Sequence, residues 1–92
     1  MNQFENDTET DIGNLFGNPH KCILFNDEHH SFEEVVAQVM LAVKCDYSRA
    51  TALTMQAHTS GSTIVFTGSL ERCEHVAGIL EKIGLATNVE EA

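Results

Sequence analysis

The stretch that most limits what this chain can become is Lys21-Cys22-Ile23-Leu24-Phe25-Asn26-Asp27-Glu28, an apolar run that stops on three polar residues. Four consecutive apolar side chains between polar neighbours, two of them strong β-formers, read as a buried strand. Asn26, Asp27 and Glu28 then place an amide and two carboxylates where that strand meets a loop. Strand ends are where scaffolds commonly hold polar groups for a ligand. A second polar group, Met55-Gln56-Ala57-His58-Thr59-Ser60-Gly61, closes an amphipathic segment downstream. Asn26, Asp27 and His58 are therefore candidates to converge on one small cationic group.

The remaining elements follow from spacing. Ser31 is a good N-cap and Glu34 stands three residues on, which makes a capping box. Phe32, Val35, Val36, Val39, Met40 and Val43 then recur at intervals of three and four, and predict an amphipathic helix that ends near Lys44 and Cys45. Asp46 or Ser48 caps a second helix. Tyr47, Ala50, Leu53, Thr54, Ala57 and His58 are expected on its inner side, with its end near His58 and Gly61 as the stop. Residues 62–67 are β-prone. Ser69 caps a third helix whose stripe is Leu70, Cys73, Val76, Ala77 and Leu80. Gly84 ends it, and residues 85–89 are expected to form a last strand. The order strand, helix, helix, strand, helix, strand predicts an α+β domain, a three-stranded antiparallel sheet with helices on one face.

Composition narrows the function. Ninety-two residues make one small domain with one modest core. Residues 1–20 are expected to be a flexible acidic extension, carrying Glu5, Asp7, Glu9 and Asp11 without Lys or Arg and broken by Gly13, Gly17 and Pro19. Within it, Ile12, Leu15 and Phe16 form either a docking motif that orders on a partner or an incidental apolar spot. Residues 21–92 are the expected folded domain. Fourteen acidic side chains against five Lys and Arg give a net charge of −9. That argues against nucleic acid and against an anionic membrane surface, and for a cationic ligand or basic partner. The same charge also serves plain solubility. There is no long apolar run and no visible secretory signal. Three cysteines without a close pair suit reduced thiols and a cytoplasmic location.

The candidate chemistry is acceptor chemistry. A carboxylate, an amide oxygen and a neutral imidazole nitrogen all accept hydrogen bonds. Three acceptors meeting at one point suit a primary ammonium, with Asp27 supplying a charge-assisted bond. The competing reading is structural: Asn26 and Asp27 shape a turn and His58 caps a helix C-terminus. Asp27, Glu28, His29, His30 and His58 include metal-ligating types, but their spacing matches no ligand pattern, so no metal and no cofactor is expected. Cys22, Cys45 and Cys73 fall on a strand and on helices, as small buried hydrophobes rather than nucleophiles. No glycine-rich phosphate loop follows a strand.

Residues 21–92 resemble the ClpS family, adaptors that deliver N-degron substrates to Clp AAA+ proteases. The match is carried by Lys21-Cys22-Ile23-Leu24-Phe25-Asn26-Asp27-Glu28, by residues 32–43, by Arg49-Ala50-Thr51 through Met55-Gln56-Ala57-His58 to Gly61, by Val65-Phe66-Thr67 and by Val76-Ala77. The resemblance implies a fold like the C-terminal domain of the ribosomal stalk protein, and a non-enzymatic role. It implies that Asn26, Asp27 and His58 bind a substrate's free α-amino group. It implies an adjacent apolar pocket, for a bulky first side chain, involving Phe32, Thr54, Ala57 and Leu85, with Glu28 and His30 at the rim. The implied partners are N-degron peptides and proteins and the N-terminal domain of a Clp chaperone of ClpA or ClpC type, met by a monomer.

The departures from the family pattern lie in that pocket. His30, Ser31 and Phe32 stand where Thr-Pro-Met is common. Thr54 stands where a methionine commonly gates the pocket, one residue before Met55, and Ala57 replaces a larger aliphatic residue. Loss of the gate is expected to ease entry of Ile and Val, while Phe32 favours an aromatic guest. The alternative role is an interaction module that binds the chaperone and regulates it without delivering N-degrons.

Overall fold

The computed structural model describes residues 17–92. The extension expected over residues 1–20, with the candidate motif at Ile12, Leu15 and Phe16, falls outside the described residues as far as residue 16. Six elements follow: β1 (His20–Phe25), α1 (Phe32–Val43), α2 (Tyr47–Ser60), β2 (Ser62–Gly68), α3 (Leu70–Glu81) and β3 (Thr87–Glu91). The sheet runs β2-β1-β3, with both pairs antiparallel. This is the predicted α+β architecture.

β1 is central because its side chains suit a strand paired on both edges. Cys22 and Leu24 point inward and are fully buried. Leu24 faces Thr63 and Thr87, and Cys22 faces Phe66 and Val89. The register with β2 shifts between Cys22 and Ile23, leaving Val65 as the extra residue. Such a bulge turns two neighbouring side chains toward the same core: Val65 is buried and Phe66 packs against the core cluster. On the other face Ile64 is 47% exposed.

α1 is rich in valine, whose stiff side chain makes it a modest helix former. Its caps and its burial compensate. Ser31 Oγ accepts from Glu34 N and the Glu34 carboxylate accepts from Ser31 N, so the capping box closes. Val35, Val36, Val39 and Ala42 are buried against the sheet and the other helices. Full burial of each such valine contributes roughly 1.5–3 kcal/mol. Asp46, rather than Ser48, caps α2 by accepting from Arg49 N at 2.8 Å. Ala50, Leu53, Thr54 and Ala57 form the inner face of α2. Tyr47 and His58 were expected there but lie outside it; Tyr47 is 53% exposed and reaches the Glu33 carboxylate. α3 is capped by Ser69 and buries Cys73, Val76, Ala77 and Leu80.

The C-terminal strand differs from expectation. It begins at Thr87, not at residue 85, because Gly84 (φ 92°) reverses the chain and Leu85 N returns to Leu80 O. Leu85 is thereby folded under α3 into the core. The buried cysteines behave as small hydrophobes. Burial, with Cys73 and Glu81 nearby, pushes the Cys22 thiol up to about 11, and burial also raises Cys73. Neither forms thiolate readily at neutral pH.

One junction positions the site. Gly61 caps α2 in the left-handed region (φ 93°), and its carbonyl accepts from Asn26 N at 2.9 Å. The end of α2 is thus pinned to the end of β1. A Cβ at Gly61 would meet nothing within 4 Å, so its cost is conformational alone. Gly61→Ala is expected to lower stability by about 1–2 kcal/mol, read as a reduced urea midpoint with unchanged slope.

Candidate functional site

The β1–α1 loop is built around Asp27. Its Oδ2 accepts from His29 N at 2.9 Å, from His30 N at 2.5 Å and from the His30 ring Nδ1 at 3.0 Å. A side chain that captures backbone N–H groups two and three residues on makes a local turn. The turn reading of Asp27 is therefore correct as far as it goes. It does not exhaust the residue, because all three bonds fall on one oxygen. Burial raises the Asp27 carboxyl pKa, but the bonds from His30 and His29 outweigh it and hold the group below its ordinary range.

Asn26 is similarly half-used. Its Nδ2 donates to Glu28 Oε2 at 2.6 Å. A carboxylate only accepts, so the atom facing it must be the amide nitrogen, which leaves Asn26 Oδ1 as a free acceptor face. Glu28 thus orients Asn26. His58 lies in the last turn of α2, exposed, and lines the same cavity as Asn26 and Asp27.

That cavity, of about 300 Å³, joins a polar lining to an apolar one. Asn26, Asp27, Glu28, His30 and His58 supply the polar part, and Leu24, Phe25, Phe32, Val35, Thr54, Met55 and Ala57 the rest. Of the residues expected for the pocket, Phe32, Thr54 and Ala57 are present and Leu85 is absent. Leu85 sits in the core beside the Gly84 turn. Leu24, Phe25, Val35 and Met55 were not expected. Leu24 and Val35 carried a sequence signal only as core. Phe25 ends β1 half-exposed, beside the loop.

Thr54 and Met55 divide the place of the expected gate. Thr54 is buried, its hydroxyl donates to Ala50 O at 2.8 Å, and it lines the cavity. Met55 is 46% exposed and also lines the cavity. A flexible thioether is therefore at hand one position later than the family pattern has it. Among the described residues, no three His, Cys, Asp or Glu side chains group as metal ligands.

Helices over one face of a three-stranded antiparallel sheet, with a mixed cleft at the β1–α1 loop, define a class of small α+β domains. Comparison with known proteins supplies the family. The family model described as ATP-dependent Clp protease adaptor protein ClpS matches residues 17–87, and the chain belongs to the ClpS family. The structure of Agrobacterium tumefaciens ClpS2 bound to L-phenylalaninamide superposes with a TM-score of 0.77, covering 82% of this chain and 98% of that one at 21% identity. That likeness is one of fold. The human E3 ubiquitin-protein ligase UBR1 is 34% identical over 53 residues, 58% of this chain, and human UBR2 is 30% identical over 59 residues, 64% of this chain. The matched segments are 3% of those two proteins. Among the described residues, no helix is long and apolar enough to cross a membrane.

The depressed Asp27 pKa has a consequence for stability. A carboxyl held below its ordinary value of 3.8 stabilises the fold above that pH, and the contribution fades as pH falls through the lower folded-state value. Asp27→Asn is expected to destabilise the domain at neutral pH. The gap to wild type should stay constant down to about pH 4 and close below it, as followed by urea titrations across pH.

Proposed function

We propose that this protein is an N-degron adaptor. It binds the free α-amino group and bulky hydrophobic first side chain of a substrate, and delivers that substrate to a Clp AAA+ chaperone-protease in the cytoplasm. The observation that carries the reading is the shared cavity. Three residues that carry acceptor atoms outside the loop's bonds, Asn26, Asp27 and His58, line the same space as an apolar wall. An ammonium has three N–H donors and one charge, and an ionised Asp27 answers both. The wall of Phe32, Leu24, Val35, Thr54 and Ala57 suits an apolar side chain attached to the same carbon. Membership of the ClpS family, and the phenylalaninamide bound by a ClpS2 of the same fold, support an amine-plus-aromatic ligand. The implied partner is the N-terminal domain of a ClpA- or ClpC-type chaperone, and the protein's role is binding rather than catalysis.

A short peptide with a free N-terminal Phe or Leu is expected to bind, and its N-acetylated form to lose about 2–3 kcal/mol, roughly a hundredfold. Acetylation removes the charge and two of the three donors. With Thr54 in the wall, Ile and Val in first position should follow Phe and Leu by tens-fold, because one branch in an apolar pocket is worth about 1–3 kcal/mol. Isothermal titration measures both. Equal affinity for the free and acetylated peptides would contradict the amino-group reading and favour a module that only regulates the chaperone.

Delivery is expected to need the N-terminal segment. Removing residues 1–18 should leave peptide affinity nearly unchanged while abolishing accelerated degradation of a Phe-initiated substrate by the chaperone-protease. The reason is that these residues precede β1, and the described residues that line the cavity begin at Leu24. Undiminished degradation by the truncated chain would contradict this.

A further inference from the structure

We infer that His30 is a positioning residue for the Asp27 carboxylate, and that through Asp27 it sets how strongly a ligand's ammonium is held. The inference rests on the amino-group reading above. It assigns His30 a task that its place at the pocket rim does not by itself imply.

The ring Nδ1 stands 3.0 Å from Asp27 Oδ2. A carboxylate oxygen cannot donate, so Nδ1 must carry the hydrogen. One neutral tautomer and the charged imidazole both carry that hydrogen. The backbone nitrogens of His29 and His30 bond to the same oxygen. Three donors on Oδ2 fix the carboxylate against rotation about its last torsion, which is otherwise broad. None of the bonds made by the described loop falls on Oδ1.

The Gly84 turn is near the ring: a Cβ built at Gly84 would meet His30 Cε1 at 3.8 Å. Gly84 occupies the left-handed region at the α3–β3 turn, where its N donates to Glu81 O at 2.9 Å. On the following side, Ser31 is fixed by the capping box of α1. His30 is tied to Asp27 through both its backbone nitrogen and its ring, and it borders the cavity. The ring bond adds to the two backbone bonds that hold the carboxylate. The two backbone bonds come from main-chain nitrogens, so His30→Ala and His30→Asn keep their donors and isolate the contribution of the ring.

The test uses the full chain with a short peptide carrying a free N-terminal Phe, and its N-acetylated form, by isothermal titration. His30→Ala is expected to weaken free-amine binding about tenfold, the usual worth of a bond to a charged group. His30→Asn places an amide nitrogen where Nδ1 stood and is expected to recover most of that loss. In an Asp27→Asn background, His30→Ala should cost less than about twofold, since the two residues act as one unit. Thermal melts of each variant report folding. A merely structural role would weaken binding in both backgrounds and would give no selective rescue by Asn. Wild-type affinity in His30→Ala, or a full loss that persists beside Asp27→Asn, would overturn the inference alone. Equal binding of both peptides by the wild-type chain would overturn the amino-group reading and this inference with it.

Discussion

The bond from Asn26 N to Gly61 O joins the end of the central strand to the end of the second helix. It spans 35 positions of sequence in a single contact of 2.9 Å. Together with the β1–β2 pairing that sets Phe25 opposite Ser62, it brings Asn26 and Asp27 to the same space as His58. The left-handed Gly61 makes the bond available by turning its carbonyl away from the helix axis. Capping chemistry therefore does more than end a helix here. It fixes the geometry of a cavity whose polar groups come from two separate elements.

Around that junction, Asn26 and Asp27 are each committed on one face and open on the other. Glu28 takes the nitrogen of Asn26, and the His29–His30 turn takes one oxygen of Asp27. Local bonds of this sort are ordinary turn chemistry. They also remove the rotational freedom that an incoming ligand would otherwise have to freeze, a preorganisation that raises affinity without adding contacts. The structural and the binding readings of Asn26 and Asp27 are thus the same observation seen from two sides of each side chain.

Much of the fold was legible because its signals are local. The Ser31–Glu34 capping box, the valine stripe of α1 and Gly61 after α2 each act over a few residues, and each stands where its pattern placed it. The C-terminal strand was misplaced because Leu85, Ala86 and Val89 look alike as apolar positions. Only the chain reversal at Gly84 decides that Leu85 enters the core. Phe25 and Met55 were missed because no spacing rule separates an exposed apolar side chain that borders a cleft from one that merely meets solvent. Tyr47 and His58 fell outside the inner face of α2 because a helix face is narrower than the stripe their spacing suggested.

The central claim is that the cleft beside Asp27 is the binding site, rather than another surface. A second groove of about 320 Å³, lined by Val43, Lys44, Phe66, Arg72 and His75, offers a contrasting location. The most direct measurement is an NMR titration of the labelled chain with a short peptide bearing a free N-terminal Phe. The account predicts progressive shifts at Asn26, Asp27, His30 and His58, with Lys44, Arg72 and His75 unmoved. Shifts confined to the Lys44–His75 groove, with the Asp27 loop silent, would contradict it.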